Sequence, residues 1–232
     1  MIISKIIKKI FINKFTAELL INLILNLHNL TYRLATIFST ILNGDTHPKH
    51  NIIQYEKWFY ENIRNDDIVM DIGCNTGGMA SILSEKAEYV YGIEVDKDLY
   101  NEAKIKIKKD NVKFICFDAT IYDYSECRGI TVVTLSNVLE HIENRVDFLK
   151  KIVKQVSWGG KSTKIILIRV PMIDRDWISV YKKMVGVEYR LDRTHYIEYT
   201  YSKLKDELGK SNITIISSHI RFGELYAKCK VI

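Results

Sequence analysis

One stretch limits the folds open to this chain more than any other. An apolar run closes on an acidic residue and breaks at once into a glycine-rich turn, IVMDI followed by GCNTGG, residues 68–78. A run this short suits a buried strand better than a helix. Glycines at 73, 77 and 78 permit a sharp turn with backbone exposed to a ligand, and GMASILSEKA behind them suits a helix. The same unit recurs. YVYGIEV (89–95), NVKFICFD (111–118), ITVVTLSNV (130–138) and TKIILIRV (163–170) read as strands, with IIQYEKWFYENI, DLYNEAKIKIKK and ENRVDFLKKIVKQV as helices. Strands alternating with helices predict a parallel, doubly wound α/β sheet. NITIISSHI (212–220) and GELYAKCKV (223–231) stand too close for a crossover and form a terminal hairpin across Phe222-Gly223. The expected fold is a mostly parallel seven-stranded sheet with an antiparallel terminal hairpin and an N-terminal helical appendage. Its domains are a helical extension over 1–50 and a Rossmann-like domain over 51–232, carrying an insertion at about 171–200.

In such sheets the ligand sits at the carboxyl ends of the strands. The first three predicted strands each end in a carboxylate, Asp71, Glu94 and Asp118. A carboxylate after the second strand can accept from ribose hydroxyls, and one after the third can reach an adenine amino group. The turn lacks both the G-x-G-x-x-G dinucleotide pattern and the Lys-Ser/Thr of a triphosphate loop, and holds no Lys or Arg to neutralise a phosphate. The ligand expected is therefore a nucleoside without phosphate.

Together, VMDIGCNTGG, VYGIEVD, VKFICFDAT and TLSNVLEHIEN resemble the successive motifs of class I S-adenosylmethionine-dependent methyltransferases, closely over about 52–170. The resemblance implies S-adenosylmethionine as cofactor and S-adenosylhomocysteine as product. It implies Asp71, Gly73, Cys74, Asn75 and Gly77 around the methionine part, Glu94 and Val95 at the ribose, Asp118 and Ala119 at the adenine, and Ser136 and Asn137 along the floor. Asn75 replaces the family's middle glycine, and Asn tolerates left-handed backbone better than other side chains.

Methyl transfer to a hydroxyl requires a positioned nucleophile and removal of its proton. His141, beyond the fourth strand, and His195 with Asp192 are the candidate bases. The 171–200 insertion with its flank is rich in Arg and aromatic residues, and Arg169, Arg175, Trp177, Arg193, Tyr196 and Tyr199 are the expected acceptor contacts. Such residues suit a polar or anionic acceptor. The function expected is methyl transfer to an oxygen of a sugar-linked or phosphorylated metabolite, as in surface glycan biosynthesis. A membrane-surface lipid or quinone methyltransferase, and a cofactor-binding partner without activity, are the alternatives. SNVL at the fourth strand lacks the Asn/Asp-Pro-Pro-Tyr/Phe signature of base-amino enzymes, and with no recognisable binding module nucleic acid is not the expected partner. No metal is expected, because Glu140–His141 has no third ligand legible in the sequence and Cys74, Cys116, Cys127 and Cys229 show no metal spacing.

Scattered reduced cysteines imply a cytoplasmic protein, and the net charge of +6 favours anionic partners. Residues 1–42 carry apolar stripes at helical spacing, Ile2–Phe11 opposite Lys5, Lys8 and Lys9, then Leu19 to Ile41. The uncharged part from Leu19 to Tyr32 falls short of the roughly 20 residues that span a bilayer. Two readings stand: two or three helices packed as a cap or homodimer contact, or a basic amphipathic helix resting on the inner membrane face.

Overall fold

The computed structural model describes residues 14–44, 47–160 and 163–232. The stripe Ile2–Phe11 lies outside them. The chain divides into two compact units, one containing Asp176–Arg190 with the N-terminal segment to Ile52, the other Ile53–Arg175 with Leu191–Ile232.

The larger unit is built on one seven-stranded sheet. Its strands are β1 (Ile68–Ile72), β2 (Tyr89–Glu94), β3 (Val112–Cys116), β5 (Val132–Ser136), β7 (Ile165–Pro171), β8 (Ile213–Arg221) and β9 (Glu224–Val231). They lie in the order β3-β2-β1-β5-β7-β9-β8. β1 pairs in parallel with β2 on one side and β5 on the other, so the strand order reverses at β1. That reversal opens a crevice at the carboxyl end of β1, where the glycine turn begins. β9 runs antiparallel to both β7 and β8. Phe222 and Gly223 turn the hairpin with φ of 50° and 73°, the two left-handed residues that a tight hairpin matching strand twist needs.

Alternate residues of the central strands feed two cores. Met70, Ile72, Val133, Leu135, Ile166 and Ile168 pack with Phe148, Leu149 and Ile152 of α6 (Arg145–Gln155) and with Leu204 and Leu208 of α8 (Tyr201–Gly209). Val69, Val132 and Leu167 face Phe59 of α3 (Tyr55–Glu61) and Met79, Ala80 and Leu83 of α4 (Gly78–Leu83). Full burial of each such side chain contributes about 1.5–3 kcal/mol, so strand orientation is strongly specified.

Three local readings differ from the sequence pattern. The run expected as one helix over 52–63 breaks at Gln54, left-handed at φ 49°, separating α2 (Pro48–Ile53) from α3. The strand expected over 130–138 is interrupted at Thr131, whose hydroxyl donates to Asp67 Oδ1 at 2.8 Å and accepts from the Ile68 amide at 3.1 Å. β4 (Arg128–Ile130) instead pairs with β6 (Ser157–Trp158) in a small separate sheet. β3 ends at Cys116, leaving Asp118 in the turn beyond, behind α5 (Lys97–Lys106) in sequence.

In the smaller unit, α1 (Lys14–Leu42) is one continuous helix. Asn29 donates to Glu188 O at 2.8 Å and accepts from Lys182 Nζ at 2.8 Å, tying α1 to α7 (Trp177–Met184) and its following turn. Leu25 is its buried residue, while Leu19, Leu23, Leu27, Leu30, Ile37, Phe38 and Ile41 are more than half exposed. Among the described residues no helix is long and apolar enough to cross a membrane.

Candidate functional site

The glycine turn is shaped by backbone that ordinary side chains resist. Gly73, Asn75 and Gly77 all have left-handed φ, at 72°, 51° and 80°. A Cβ on Gly73 would meet Val138 Cγ2 at 2.7 Å, and one on Gly77 would meet Phe114 Cζ at 2.7 Å. Asn75 spans its left-handed position with its own carbonyl, which accepts from Thr76 N at 2.7 Å. Gly73 N and Cys74 N bond to Ile93 O at 2.8 and 3.1 Å, fastening the turn to β2.

Glu94, the last residue of β2, completes that fastening. It is nearly buried and accepts from Asn75 N at 2.8 Å and from Asp96 N at 2.9 Å, one bond to each carboxylate oxygen. Asp71, at the end of β1, is buried, with Oδ1 accepting from Thr134 Oγ1 at 2.6 Å. Burial raises its pKa to about 7, opposed by the Thr134 bond and assisted by the charge of Glu94. Burial likewise holds the Cys74 thiol well above its usual range, so it is a packed thiol rather than a reactive one. Val95 is exposed. Asp118 caps its own turn, accepting from Thr120 N and Oγ1 at 2.8 and 2.7 Å, and Ala119 O accepts from Tyr124 Oη at 2.6 Å. Ser136 ends β5, and Asn137 follows in left-handed backbone, its amide bonded to Arg169 O at 2.8 Å.

Beyond Asn137 the chain forms a 3-10 turn, Leu139–His141. Tyr196 N donates to Glu140 O at 2.8 Å and brings the 192–196 turn alongside. His141 and His195 stand edge to face, ring centroids 4.7 Å apart. The Thr194 hydroxyl donates to Asp192 Oδ1 at 2.8 Å and lies 3.0 Å from His141 Nδ1. Its single proton is thus committed, so His141 Nδ1 is the donor in that contact and Nε2 carries the free lone pair. Partial burial and the neighbouring His195 lower the His141 pKa, while the Thr194 bonds lower that of Asp192. The three predicted bases therefore do converge. Glu140 is fully buried beside them, its pKa lifted by burial to about 8. His141 and Tyr196 also line a cleft of about 460 Å³ with Thr120, Asp147 and Lys151.

The predicted acceptor residues scatter. Arg169 is buried, paired with Glu224 at 3.3 Å, with its guanidinium 3.7 Å from the centre of the Tyr55 ring. Arg175 forms an ion pair with Glu198 and donates to Met172 O at 2.9 Å. Both guanidiniums are thereby neutralised within the chain. Tyr199 corrects the expectation outright: it is a core residue, fully buried, its hydroxyl donating to Glu207 at 2.9 Å where Glu207 also pairs with Arg145. Trp177 belongs to the smaller unit, exposed at the start of α7. Arg193 and Tyr196 are exposed.

Asp71 Oδ2, Ser136 Oγ, Asn137 Oδ1, both Glu140 oxygens and Arg169 Nε are buried without a hydrogen-bond partner among the described residues. Buried polar atoms are nearly always paired, and these fall at the carboxyl ends of β1, β5 and β7 or just beyond. Such a concentration marks a polar ligand site. Tyr55 and Glu224 were missed in the sequence because each lies more than 50 residues from Arg169, which they flank in space.

Residues 70–163 match the family model described as a methyltransferase domain. The chain is 32% identical over 167 residues to an uncharacterized protein of Methanocaldococcus jannaschii, covering 64% of this chain and 64% of that protein. It is 31% identical over 126 residues to ribosomal RNA small subunit methyltransferase A of Ureaplasma parvum, covering 53% of this chain and 41% of that protein. The chain thus spans less than two thirds of the length of either relative. Among solved structures, magnesium protoporphyrin IX methyltransferase from Synechocystis PCC 6803 with bound SAH superposes with a TM-score of 0.58 at 16% identity, covering 79% of this chain and 83% of that one. That likeness is one of fold.

Proposed function

We propose that the chain is a class I S-adenosylmethionine-dependent methyltransferase, a reading supported by the methyltransferase-domain match over residues 70–163 and by the fold, and that it methylates a hydroxyl of a small polar acceptor. The observation that carries the reading is the set of buried, unpartnered polar atoms at the strand ends, next to two convergent histidines. The cofactor fits this chain's residues. Asp71 Oδ2, buried without a hydrogen-bond partner among the described residues, would accept from its ammonium group, and the Gly73–Gly77 turn admits its backbone-sized methionine part without a cation to compete. Glu94 keeps lone pairs for ribose hydroxyls, Asp118 and Ala119 border the adenine position, and Ser136 and Asn137 form the floor. The cofactor supplies an electrophilic methyl group on a sulfonium. This chain holds the acceptor oxygen in line, excludes water and receives the hydroxyl proton at the Glu140–His141–His195 group.

A hydroxyl on a sugar-linked metabolite is the acceptor we favour. A phosphorylated one has less support, since Arg169 and Arg175 are engaged by Glu224 and Glu198. Transfer of labelled methyl from S-adenosylmethionine to free sugars, nucleotide sugars, sugar phosphates and lipid extracts tests the assignment. Absence of S-adenosylhomocysteine binding by calorimetry would refute it at the root.

The exposed face of α1 favours a second reading, action at a membrane surface. Residues 1–44 contain Lys5, Lys8, Lys9, Lys14 and Arg33 against Glu18 alone, and this balance with an exposed Leu/Ile/Phe stripe suits an anionic lipid interface. Co-sedimentation with phosphatidylglycerol vesicles tests it, with Leu23→Glu/Leu27→Glu expected to abolish binding; no binding by the unaltered chain ends it.

A further inference from the structure

We propose that Glu140, His141 and His195 form a binding site for one divalent transition-metal ion. Each offers one ligand atom, and those atoms lie within 4.8 Å of one another. The sequence concealed this triad, since His195 stands 54 residues beyond His141.

Glu140 carries the argument. Its side chain is fully buried, and neither carboxylate oxygen has a hydrogen-bond partner among the described residues. A buried carboxylate is tolerated when paired or coordinating, and a cation between it and the two imidazoles would satisfy both oxygens.

The surroundings orient the His141 ring as a metal site requires. His141 Nδ1 is occupied by the Thr194 hydroxyl, which Asp192 fixes in turn. His195 Nδ1 faces Glu198 Oε1 at 3.6 Å. Each ring offers one nitrogen to the ion. The bond from Tyr196 N to Glu140 O locks the two segments together, so the set is preorganised. Two imidazoles and a carboxylate suit zinc, iron(II), cobalt or manganese rather than calcium or magnesium, which prefer all-oxygen shells. His141 is partly exposed at the cleft it shares with Tyr196 and Thr120, which gives the ion an open coordination position.

The consequence for chemistry rests on the function proposed above. With the ion bound, the three side chains would serve as its ligands instead of receiving the proton, and an acceptor hydroxyl at the open position would lose its proton to water more readily. Binding of the ion does not rest on it.

The test uses the full chain. Stripped protein is titrated with Zn²⁺ and Mn²⁺ by calorimetry and with Co²⁺ by visible absorption. One ion per chain is expected, with a Co²⁺ spectrum typical of mixed nitrogen and oxygen ligands. Glu140→Gln and His195→Asn are each expected to weaken the affinity by roughly 10–100-fold or more, while binding S-adenosylhomocysteine as the unaltered protein does. Glu94→Ala is expected to lose cofactor affinity yet keep the ion, which separates failure of the metal site from failure of the methyltransferase reading. Should a variant not fold, Co²⁺ absorption of the unaltered chain decides alone. Sub-stoichiometric binding of all three ions, or unchanged affinity in both folded variants, overturns the proposal.

Discussion

Glu94 Oε2 accepts a hydrogen bond from the backbone amide of Asn75 at 2.8 Å, so the carboxylate that ends β2 also holds the turn that ends β1. Its other oxygen holds Asp96 N, at the cap of α5. One side chain thus sets the relative position of two neighbouring strand ends.

Glu94→Ala is accordingly expected to do more than remove a ribose contact. Loss of hydrogen bonds to a charged group costs about 1.5–3 kcal/mol each, so affinity for S-adenosylhomocysteine should fall on the order of ten- to a hundred-fold, and thermal stability should fall as well. Glu94→Gln keeps one carbonyl acceptor and should be milder on both counts. Calorimetry and thermal melts check this; equal behaviour of the two variants would mean that the turn does not depend on the carboxylate.

Asp71 makes the cofactor affinity pH-dependent. Its folded pKa of about 7 lies above the roughly 3.9 of an unfolded aspartate. The folded ligand-free protein therefore binds more protons than the unfolded chain between those values. Its contribution to stability is fully present below about pH 4 and is lost as pH rises through 7. The cationic cofactor prefers the ionised form, so its affinity should climb between about pH 6 and 8, with proton release on binding. Titrations in buffers of differing ionisation enthalpy measure that release. In Asp71→Asn the affinity should be weaker and its pH slope flat; a persisting slope would assign the titration elsewhere.

Gly77→Ala should destabilise the chain where Gly78→Ala does not. Gly77 has φ 80° and no room beside Phe114 Cζ, whereas a Cβ on Gly78 meets nothing within 4 Å. Left-handed backbone costs a residue with a Cβ about 1–2 kcal/mol before the clash is added. Urea unfolding of the two variants gives the comparison, and equal midpoints would contradict the turn geometry.

Tyr199→Phe distinguishes a core residue from an acceptor contact. Removing the hydroxyl leaves Glu207 with Arg145 and Lys203 but without its buried donor. The expected cost is about 1–2 kcal/mol in stability, with KM for the acceptor unchanged. A raised KM with unaltered stability would return Tyr199 to the acceptor site.

Much of the domain was legible because its signals are local. Strands of five to nine residues with apolar side chains, helices between them and a Phe-Gly hairpin declare themselves within short windows. The carboxylates Asp71, Glu94 and Asp118 were legible for the same reason, each standing at or just past a strand end. Asn75 was expected in left-handed backbone because it stands where the resembling family has a glycine and Asn tolerates that conformation, and its φ of 51° agrees.

The acceptor side was less legible, since charge in a sequence carries no partner. Arg169 and Arg175 read as anion contacts until Glu224 and Glu198 are brought against them, 55 and 23 residues away. Tyr199 read as an acceptor contact until α6 and α8 closed over it.

What the sequence by itself determined is the order of strands and helices, the bend at the glycine turn and the acidic strand ends, all set by side-chain period and backbone preference over a few residues. What only the tertiary structure decided is which charges cancel and which buried groups stay without a partner. Glu140, His141 and His195 meet because Tyr196 bonds back to Glu140. That encounter joins segments 54 residues apart, and no local preference encodes it.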